Sequence, residues 1–446
     1  MEWQTLLNRQ RLHDGSYEEK ADRPSFVQDA DRITFSAPFR RLANKTQVHP
    51  LYENDHLHHR LIHSVETASV GRSLGIAVGD WLEKEHSLPA GEKHAVAGIV
   101  QAACLAHDIG NPPFGHSGEA AIGEWFSEKF GEKSELFAAL DNNRQREFEA
   151  FEGNAQGFRL LTKLEMYRNQ GGMRLSRSVL AAFSKYPTTA QAQSIAQATY
   201  SYCGLKKFGV FESELDLFVN VAEGVGLPEV IENQVRWWRR HPLVFLVEAA
   251  DDICYNILDL EDAFTSGDFT LETVMDHLNS IGGKPNRDLL DRRPEEIIAY
   301  ARARSIGNAI DACVEAFKCN YDAIMAGTFS GSLVSVSRQK AQFDKIKTLA
   351  SQRLFTTRRK TELEVLGRNV VHQVLDGLEG VYTALMANNW EKQKLGNYHV
   401  QLCRATGLDL RDVNDAYTAL HSLTDYVSGM TDRYAVKIAR MVSGAS

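Results

Sequence analysis

Two histidines and two acidic residues lie close together in residues 104–119, on either side of a pair of prolines. His107 and Asp108 end an apolar run, a segment with two prolines and two glycines follows, and His116 and Glu119 come after it. Proline and glycine interrupt helices. Neighbouring helical residues point about 100° apart, so His107 and Asp108 can contact one target only where a helix ends. Imidazole and carboxylate groups at such a point indicate a metal ion as the shared target.

Two further candidate ligands lie on other predicted helices. Residues 57–79 have helical periodicity and carry His63 among apolar positions. Asp251 lies in the apolar run 242–259, the most persuasive long helix of the sequence, where an unpaired carboxylate would be costly. Two imidazoles and two carboxylates are ligands that suit manganese, magnesium, iron, cobalt or nickel. A structural zinc site would instead be expected to use cysteine thiolates. Taken singly, a histidine among apolar positions such as His63 is more often a core residue than a metal ligand.

The helix that carries Asp251 also presents a face that could line a pocket. Asp251, Tyr255 and Asp259 are four residues apart and therefore follow one side of the helix, about 6 Å per step. Tyr255 without its flanking carboxylates would fit the core as well. Residues 38–63 contain four Lys or Arg, five His and only two acids. This local excess could serve an anionic substrate, and a solvated basic face is the alternative.

Composition limits the possible functions of the chain. The 446 residues are 43% hydrophobic and 24% charged, with a formal net charge of −8, which argues against non-specific nucleic-acid binding as the main role. The six cysteines are scattered without a C-x-x-C pair, so a zinc ribbon or a disulfide framework is not expected. The first residues lack the features of a signal peptide, and no segment approaches the length of a membrane span. We therefore expect a cytoplasmic protein with no membrane partner.

The elements that must position these residues are predicted to be helices. We expect an N-terminal arm at 1–37, a core that contains the pocket at 38–267, and further amphipathic helices at 268–446 packed on that core. The sequence shows no alternating strand series and no internal repeat. The predicted fold class is mainly α.

The order of these residues resembles a known family. His63, His107-Asp108 and Asp251 resemble the H…HD…D pattern of the HD-domain metal-dependent phosphohydrolases. An HD dipeptide alone is weak, but five blocks in order along nearly the whole chain resemble the bacterial dGTPases. These blocks are FRRLANKTQV (39–48), HDIGNPPFGH (107–116), EGNAQG (152–157), EAADDI (248–253) and YVSGMTD (426–432).

The resemblance implies an HD-domain helical core with appended C-terminal helices, and it implies three groups of site residues. One divalent metal would be held by His63, His107, Asp108 and Asp251, and the catalytic pair would be His116 and Glu119. The substrate contacts would be Gln47 and Val48 at the deoxyribose or base, Arg60, Lys185 and Tyr186 at the triphosphate with Asn154 close by, and Tyr255 and Asp259 at the sugar. A purely structural role is the alternative for some of these residues. Lys185-Tyr186 before Pro187 also fits an ordinary helix end, and His116 could cap the next helix.

The reaction that the resemblance implies is hydrolysis of a dNTP, with dGTP favoured, to a deoxynucleoside and inorganic triphosphate by attack at the α-phosphorus. Family members are commonly homo-oligomers, hexamers among them, and a regulatory dNTP or single-stranded DNA is a possible further partner. Two alternatives stay open. The first is an HD phosphohydrolase that acts on another nucleotide, and the second is a nucleotide-sensing or single-strand-binding protein with little or no turnover.

Overall fold

The computed structural model describes residues 1–15, 17–20, 22–45, 59–286, 291–353 and 358–444, with only the backbone described at 358–360. In these ranges helices predominate, and the one sheet is a two-stranded antiparallel hairpin. The predicted mainly-α fold is thereby confirmed. No helix in the described ranges is both long enough and apolar enough to cross a membrane.

The helices of the described residues fall into three successive groups along the chain. The N-terminal group consists of α1 (Trp3–Leu6), α2 (Ser25–Thr34) and α3 (Ala37–Arg41). The central group consists of α4 (Arg60–Glu85), α5 (Lys93–Ala106), α6 (His116–Glu132), α7 (Glu135–Ala138), α8 (Asn142–Glu149), α9 (Gly153–Arg159), α10 (Arg177–Phe183), α11 (Ala190–Ala196), α12 (Leu215–Val225) and α13 (Val244–Thr265). The C-terminal group consists of α14 (Leu271–Gly282), α15 (Pro294–Cys319), α16 (Tyr321–Met325), α17 (Leu333–Val336), α18 (Lys340–Arg353), α19 (Arg358–Ala387), α20 (Asn397–Thr406), α21 (Ala416–Ser428) and α22 (Asp432–Ser443).

Helices α4 and α5 pack closely in antiparallel directions because α4 carries glycines where the two backbones meet. A Cβ atom at Gly75 would lie 2.6 Å from the Cα of Ala97, and one at Gly79 would lie 2.7 Å from the Cα of Lys93. Neither distance is possible between real atoms, so only glycine permits this approach. The same packing brings the start of α4 next to the end of α5, and therefore His63 next to His107.

The predicted helices around the candidate site are confirmed, with shifted ends. The apolar helix before the prolines is α5, and His107 is its C-cap residue, as the Gly and Pro positions indicate. The predicted helix at 242–259 is α13, which begins at Val244 and continues to Thr265. The proline segment ends at Gly115, and His116 is the first residue of α6.

The hairpin was not expected from the sequence. Strand β1 (Glu229–Glu232) pairs with β2 (Val235–Trp238), and Asn233 and Gln234 between them both have positive φ angles, of 47° and 66°. Two such residues form the tight turn that suits the twist of a two-residue hairpin. Each strand has only four residues, which is too short for a clear alternation of polar and apolar positions.

The buried apolar residues form two hydrophobic clusters. The first cluster contains α4, α5, α10 and α13, together with residues of the N-terminal group and of residues 269–350. The second cluster contains Phe114, the buried face of α6 and residues of α19, α21 and α22. Both clusters therefore include central and C-terminal residues, and the boundaries at 37 and 267 stay a prediction.

Candidate active site

Three helices bring the four predicted metal ligands close together. One ligand atom from each of His63, His107 and Asp108 lies within 4.8 Å of the other two. Asp251 on α13 is outside that group, but its Oδ1 is 3.1 Å from Nε2 of His63 and 3.6 Å from Nε2 of His107. These distances are short enough for a single cation to contact imidazole and carboxylate groups at once.

The orientation of His107 fits a metal ligand. Its Nδ1 lies 2.7 Å from the carbonyl oxygen of Cys104, and because a carbonyl only accepts, Nδ1–H is the donor. The lone pair is then on Nε2, which is buried and has no hydrogen-bond partner within the described residues. An imidazole held through one nitrogen by a carbonyl, with the other nitrogen directed at carboxylates, is the usual arrangement of a metal-binding histidine.

The carboxylates of the cluster are held in their charged form. Burial alone would raise the pKa of Asp108, but the Arg60 guanidinium and the imidazoles of His107 and His63 outweigh burial and hold that pKa well below its usual range. Burial would likewise raise the pKa of Asp251, but the hydrogen bond with His63 and the nearby imidazole of His107 outweigh burial and lower it. Both groups are therefore ionised at neutral pH, as cation ligands must be.

His116 and Glu119 form a hydrogen-bonded pair at the start of α6. Nδ1 of His116 donates to Oε2 of Glu119 at 2.7 Å, and Oε1 of Glu119 accepts from the backbone N of Gly153 at 2.9 Å. Glu119 is buried, whereas the His116 side chain is 82% exposed. The hydrogen bond to Glu119 raises the pKa of His116 and outweighs the lowering caused by partial desolvation of the imidazole. The pair is thus built to hold a proton on an accessible imidazole.

Both groups of residues open into one cavity of about 280 Å³. Arg60, Lys185 and Lys207 contribute its positive charges, and each is held by a carboxylate. Nη1 of Arg60 is 2.7 Å from Oδ2 of Asp108, Nζ of Lys185 is 3.3 Å from Glu248, and Nζ of Lys207 is 2.6 Å from Glu152. The pKa values of both lysines are raised, because Glu248 at Lys185, and Glu119 together with Glu152 at Lys207, outweigh the effect of burial. The cavity therefore has three fixed cations suited to an anionic ligand.

The cavity brings together eleven of the fourteen predicted site residues. These are Arg60, His63, His107, Asp108, His116, Glu119, Asn154, Lys185, Tyr186, Asp251 and Tyr255. Asp259 is buried one turn beyond Tyr255 on α13 and is not among the described residues that line the cavity. Gln47 and Val48 lie outside the described residues. The roles assigned to all fourteen stay predictions.

Sequence reasoning did not select three residues that belong to this site. Nδ2 of Asn111 donates to Oδ1 of Asp108 at 2.5 Å, Glu248 pairs with Lys185, and Lys207 lies between Glu152 and Glu119. Glu248 could have been found, since it lies three residues before Asp251 and shares its helix face. The sequence indicates a role for Lys207 only weakly: it is one of two adjacent lysines that lie between glycines in an acidic chain.

Comparison with known proteins gives consistent similarities. Residues 60–177 match the HD domain, and residues 334–441 match the phosphohydrolase-associated domain. A deoxyguanosinetriphosphate triphosphohydrolase-like protein of Synechocystis sp. is 40% identical over the whole of both chains. One of Pseudomonas aeruginosa is 39% identical over all of this chain and 99% of its own. The deoxyguanosinetriphosphate triphosphohydrolase of Yersinia enterocolitica is 27% identical over 94% of each chain.

Proposed function

The chain belongs to the HD-domain family of deoxyguanosinetriphosphate triphosphohydrolase-like proteins, and we propose that it hydrolyses deoxynucleoside triphosphates to deoxynucleosides and inorganic triphosphate. Its matched domains identify it as a phosphohydrolase. One observation supports the more specific proposal that it hydrolyses deoxynucleoside triphosphates. The cluster of His63, His107 and Asp108 and the His116–Glu119 pair open into the same cavity, which also holds three cationic side chains.

The charges of the side chains that line the cavity support the binding of a divalent metal. Three cationic and four carboxylate side chains line it, so the protein alone offers no net positive charge to a triphosphate. His63, His107, Asp108 and Asp251 would hold the cation, and the buried Nε2 of His107 suits this role. When bound, the metal would supply a Lewis acid for the phosphoryl group and the positive charge that the cavity lacks. Manganese, magnesium, iron, cobalt and nickel are the candidates.

His116 is proposed as the proton donor of the reaction. Water forms a bond to the α-phosphorus, the bond from phosphorus to the 5′ oxygen breaks, and His116 protonates that oxygen as the deoxynucleoside leaves. The proton lost by the attacking water returns to His116 through solvent. The raised pKa of His116 supports this role, because it favours the imidazolium form, and Glu119 fixes the ring through Nδ1 so that Nε2 carries the mobile proton.

Arg60, Lys185 and Lys207 are proposed to bind the phosphates, with Tyr186 and Asn154 beside them. Each cation already has a carboxylate partner, so the triphosphate would share or replace those contacts. Tyr255 lines the same cavity from α13, one turn after Asp251. We propose that its ring occupies the space that a 2′-hydroxyl would need and that Asp259 binds the 3′-hydroxyl. The names of the relatives favour dGTP as the substrate.

The proposal is tested by incubating the purified full chain with each of the four dNTPs and with GTP, in turn with each candidate metal. Deoxynucleoside and inorganic triphosphate are quantified together by ion-exchange chromatography. We expect equimolar amounts of both products, with dGTP cleaved well above GTP. Tyr255→Ala is expected to narrow the ratio of dGTP to GTP turnover by roughly tenfold, because the ring no longer excludes the 2′-hydroxyl.

The other outcomes separate the alternatives. Release of orthophosphate or diphosphate instead of triphosphate would identify an HD phosphohydrolase with a different cleavage site. Nucleotide binding without turnover on any dNTP, with or without added dNTPs or single-stranded DNA, would favour a sensing or binding protein. Equal rates on GTP and dGTP would remove the role proposed for Tyr255. Homo-oligomerisation, a regulatory dNTP and single-stranded DNA binding stay predictions.

A further inference from the structure

A carboxylate from the last helix holds the backbone of the segment that leads to His116. Oδ1 of Asp432, in the first turn of α22, accepts a hydrogen bond of 3.0 Å from the backbone N of Phe114. Asp432 is 1% exposed, and 318 positions separate the two residues. We propose that Asp432 is a positioning residue, which orients His116 by fixing the backbone two residues before it; the kinetic part of this inference rests on the proposed function.

The segment needs an external support because its backbone is strained where it meets α6. Phe114 has a φ angle of 63° and Gly115 one of 59°. Glycine tolerates such an angle freely, but a phenylalanine in this region is strained and persists only when its surroundings hold it. At Gly115 a Cβ atom would lie 2.4 Å from Nη2 of Arg60, so a larger residue there would also have to displace the end of that side chain. The direction in which His116 leaves this turn therefore depends on the contacts of Phe114.

Two independent contacts of Phe114 reach the C-terminal helices. Its backbone N is bonded to Asp432, and its ring belongs to the second hydrophobic cluster. The ring lies against α19, where a Cβ atom at Gly367 would come within 2.9 Å of the Phe114 Cγ. The backbone contact fixes the peptide plane and the ring contact fixes the side chain. Together they set the position of the turn relative to the C-terminal helices.

The same part of the chain also holds the other end of the segment. Nζ of the buried Lys45 donates to the carbonyl oxygen of Asn111 at 2.6 Å and to that of Ser428 at 2.7 Å. Asn111 in turn donates to the predicted metal ligand Asp108. The segment between the metal ligands and His116 is thus held near both ends, by Lys45 with Ser428 and by Asp432. Lys45 holds Asn111, whereas Asp432 holds Phe114, which is closer to His116 along the chain.

The proposal is tested with Asp432→Ala, Asp432→Asn and a matched control, Thr431→Ala. Thr431 is the N-cap of the same helix, and its side chain accepts a hydrogen bond from the backbone N of Tyr434. Its loss weakens the helix terminus without touching Phe114. For each full-length variant we would measure kcat and KM on the preferred dNTP, bound metal, and hydrogen–deuterium exchange of a peptide that covers residues 111–116.

We expect Asp432→Ala to lower kcat by roughly 10- to 100-fold with KM and bound metal near those of the wild type, because His116 is misdirected while the metal ligands are not. Exchange in residues 111–116 should become faster. Asp432→Asn should retain most of kcat, since its amide oxygen can accept from Phe114, and Thr431→Ala should retain both kcat and slow exchange.

Three results would overturn the proposal. These are equal losses of kcat in Asp432→Ala and Thr431→Ala, an Asp432→Asn variant as impaired as Asp432→Ala, and unchanged exchange in residues 111–116. If the wild type hydrolyses no dNTP, the proposed function fails, but the exchange measurement still decides whether Asp432 holds Phe114. The two failures are therefore distinguishable.

Discussion

The metal-binding half and the proton-transfer half of the cavity depend on different parts of the hydrophobic core. His63, His107 and Asp251 lie on or next to helices of the first cluster, where two glycines let α4 and α5 approach closely. His116 and Glu119 lie on α6, whose buried face packs against α19, α21 and α22 in the second cluster. The ligand set is thus built mostly by neighbouring helices, whereas the direction of His116 depends on helices more than 200 residues away.

The two halves also differ in their charged groups: one holds permanently ionised carboxylates, and the other holds an imidazole that titrates. In the metal-binding half, Arg60 and the histidines hold partly buried carboxylates ionised, so that fixed negative charges are directed at one point. In the proton-transfer half, a buried carboxylate carries an accessible imidazole whose pKa is raised. A cation site requires permanent charges, and a proton donor requires a group that titrates near neutral pH. This difference predicts that substitutions in the two halves will fail in different ways.

The largest effect is expected in the metal-binding half. His107→Ala removes an imidazole whose Nε2 faces both carboxylates, and bound metal should fall to a small fraction of one per chain. Activity should fall by more than about a thousandfold, because the transition state loses several kcal/mol of charge stabilisation. Metal content by plasma mass spectrometry and steady-state turnover check this. His94→Ala, an exposed histidine on the same helix, is the control and should change neither. Full metal content in His107→Ala would contradict the ligand assignment.

The next effect is expected in the proton-transfer half. His116→Ala should lower kcat by roughly 100- to 10,000-fold, the usual contribution of a positioned acid or base. Bound metal and nucleotide affinity should stay near those of the wild type, because His116 lies outside the ligand cluster. The measurements are turnover, metal content and isothermal titration with dNTP. Loss of metal in parallel with activity would show that the two halves are not separable, and unchanged turnover would exclude His116 as the proton donor.

The smallest effect is a shift of pH dependence. A proton donor acts in its protonated form, so activity falls as pH rises through the pKa of His116. The hydrogen bond and the charge of Glu119 raise this pKa, whereas partial desolvation and the nearby Arg60 and Lys207 lower it. Glu119→Gln removes the raising charge, and the alkaline limb of the kcat profile should move to lower pH. An alkaline limb that stays in place would show that another group determines it.

Some of this site could be predicted from the sequence because the signals are local. Proline and glycine after Asp108 indicate where α5 ends, and that end is what allows His107 and Asp108 to face one point. The four-residue spacing of Asp251 and Tyr255 indicates a shared helix face, and both line the cavity. Lys207 escaped prediction because it lies in an irregular segment between short helices, where no periodicity gives the direction of a side chain.

The sequence by itself determined the helical class of the fold, the end of α5 and the residue types that could bind a cation. Each of these follows from interactions within a few neighbouring residues. The tertiary structure decided which side chains meet, such as Arg60 with Asp108, and how Phe114 is held by Asp432 across 318 positions. Such contacts depend on how whole helices pack, and the packing is set by the summed burial of two clusters rather than by any local pattern.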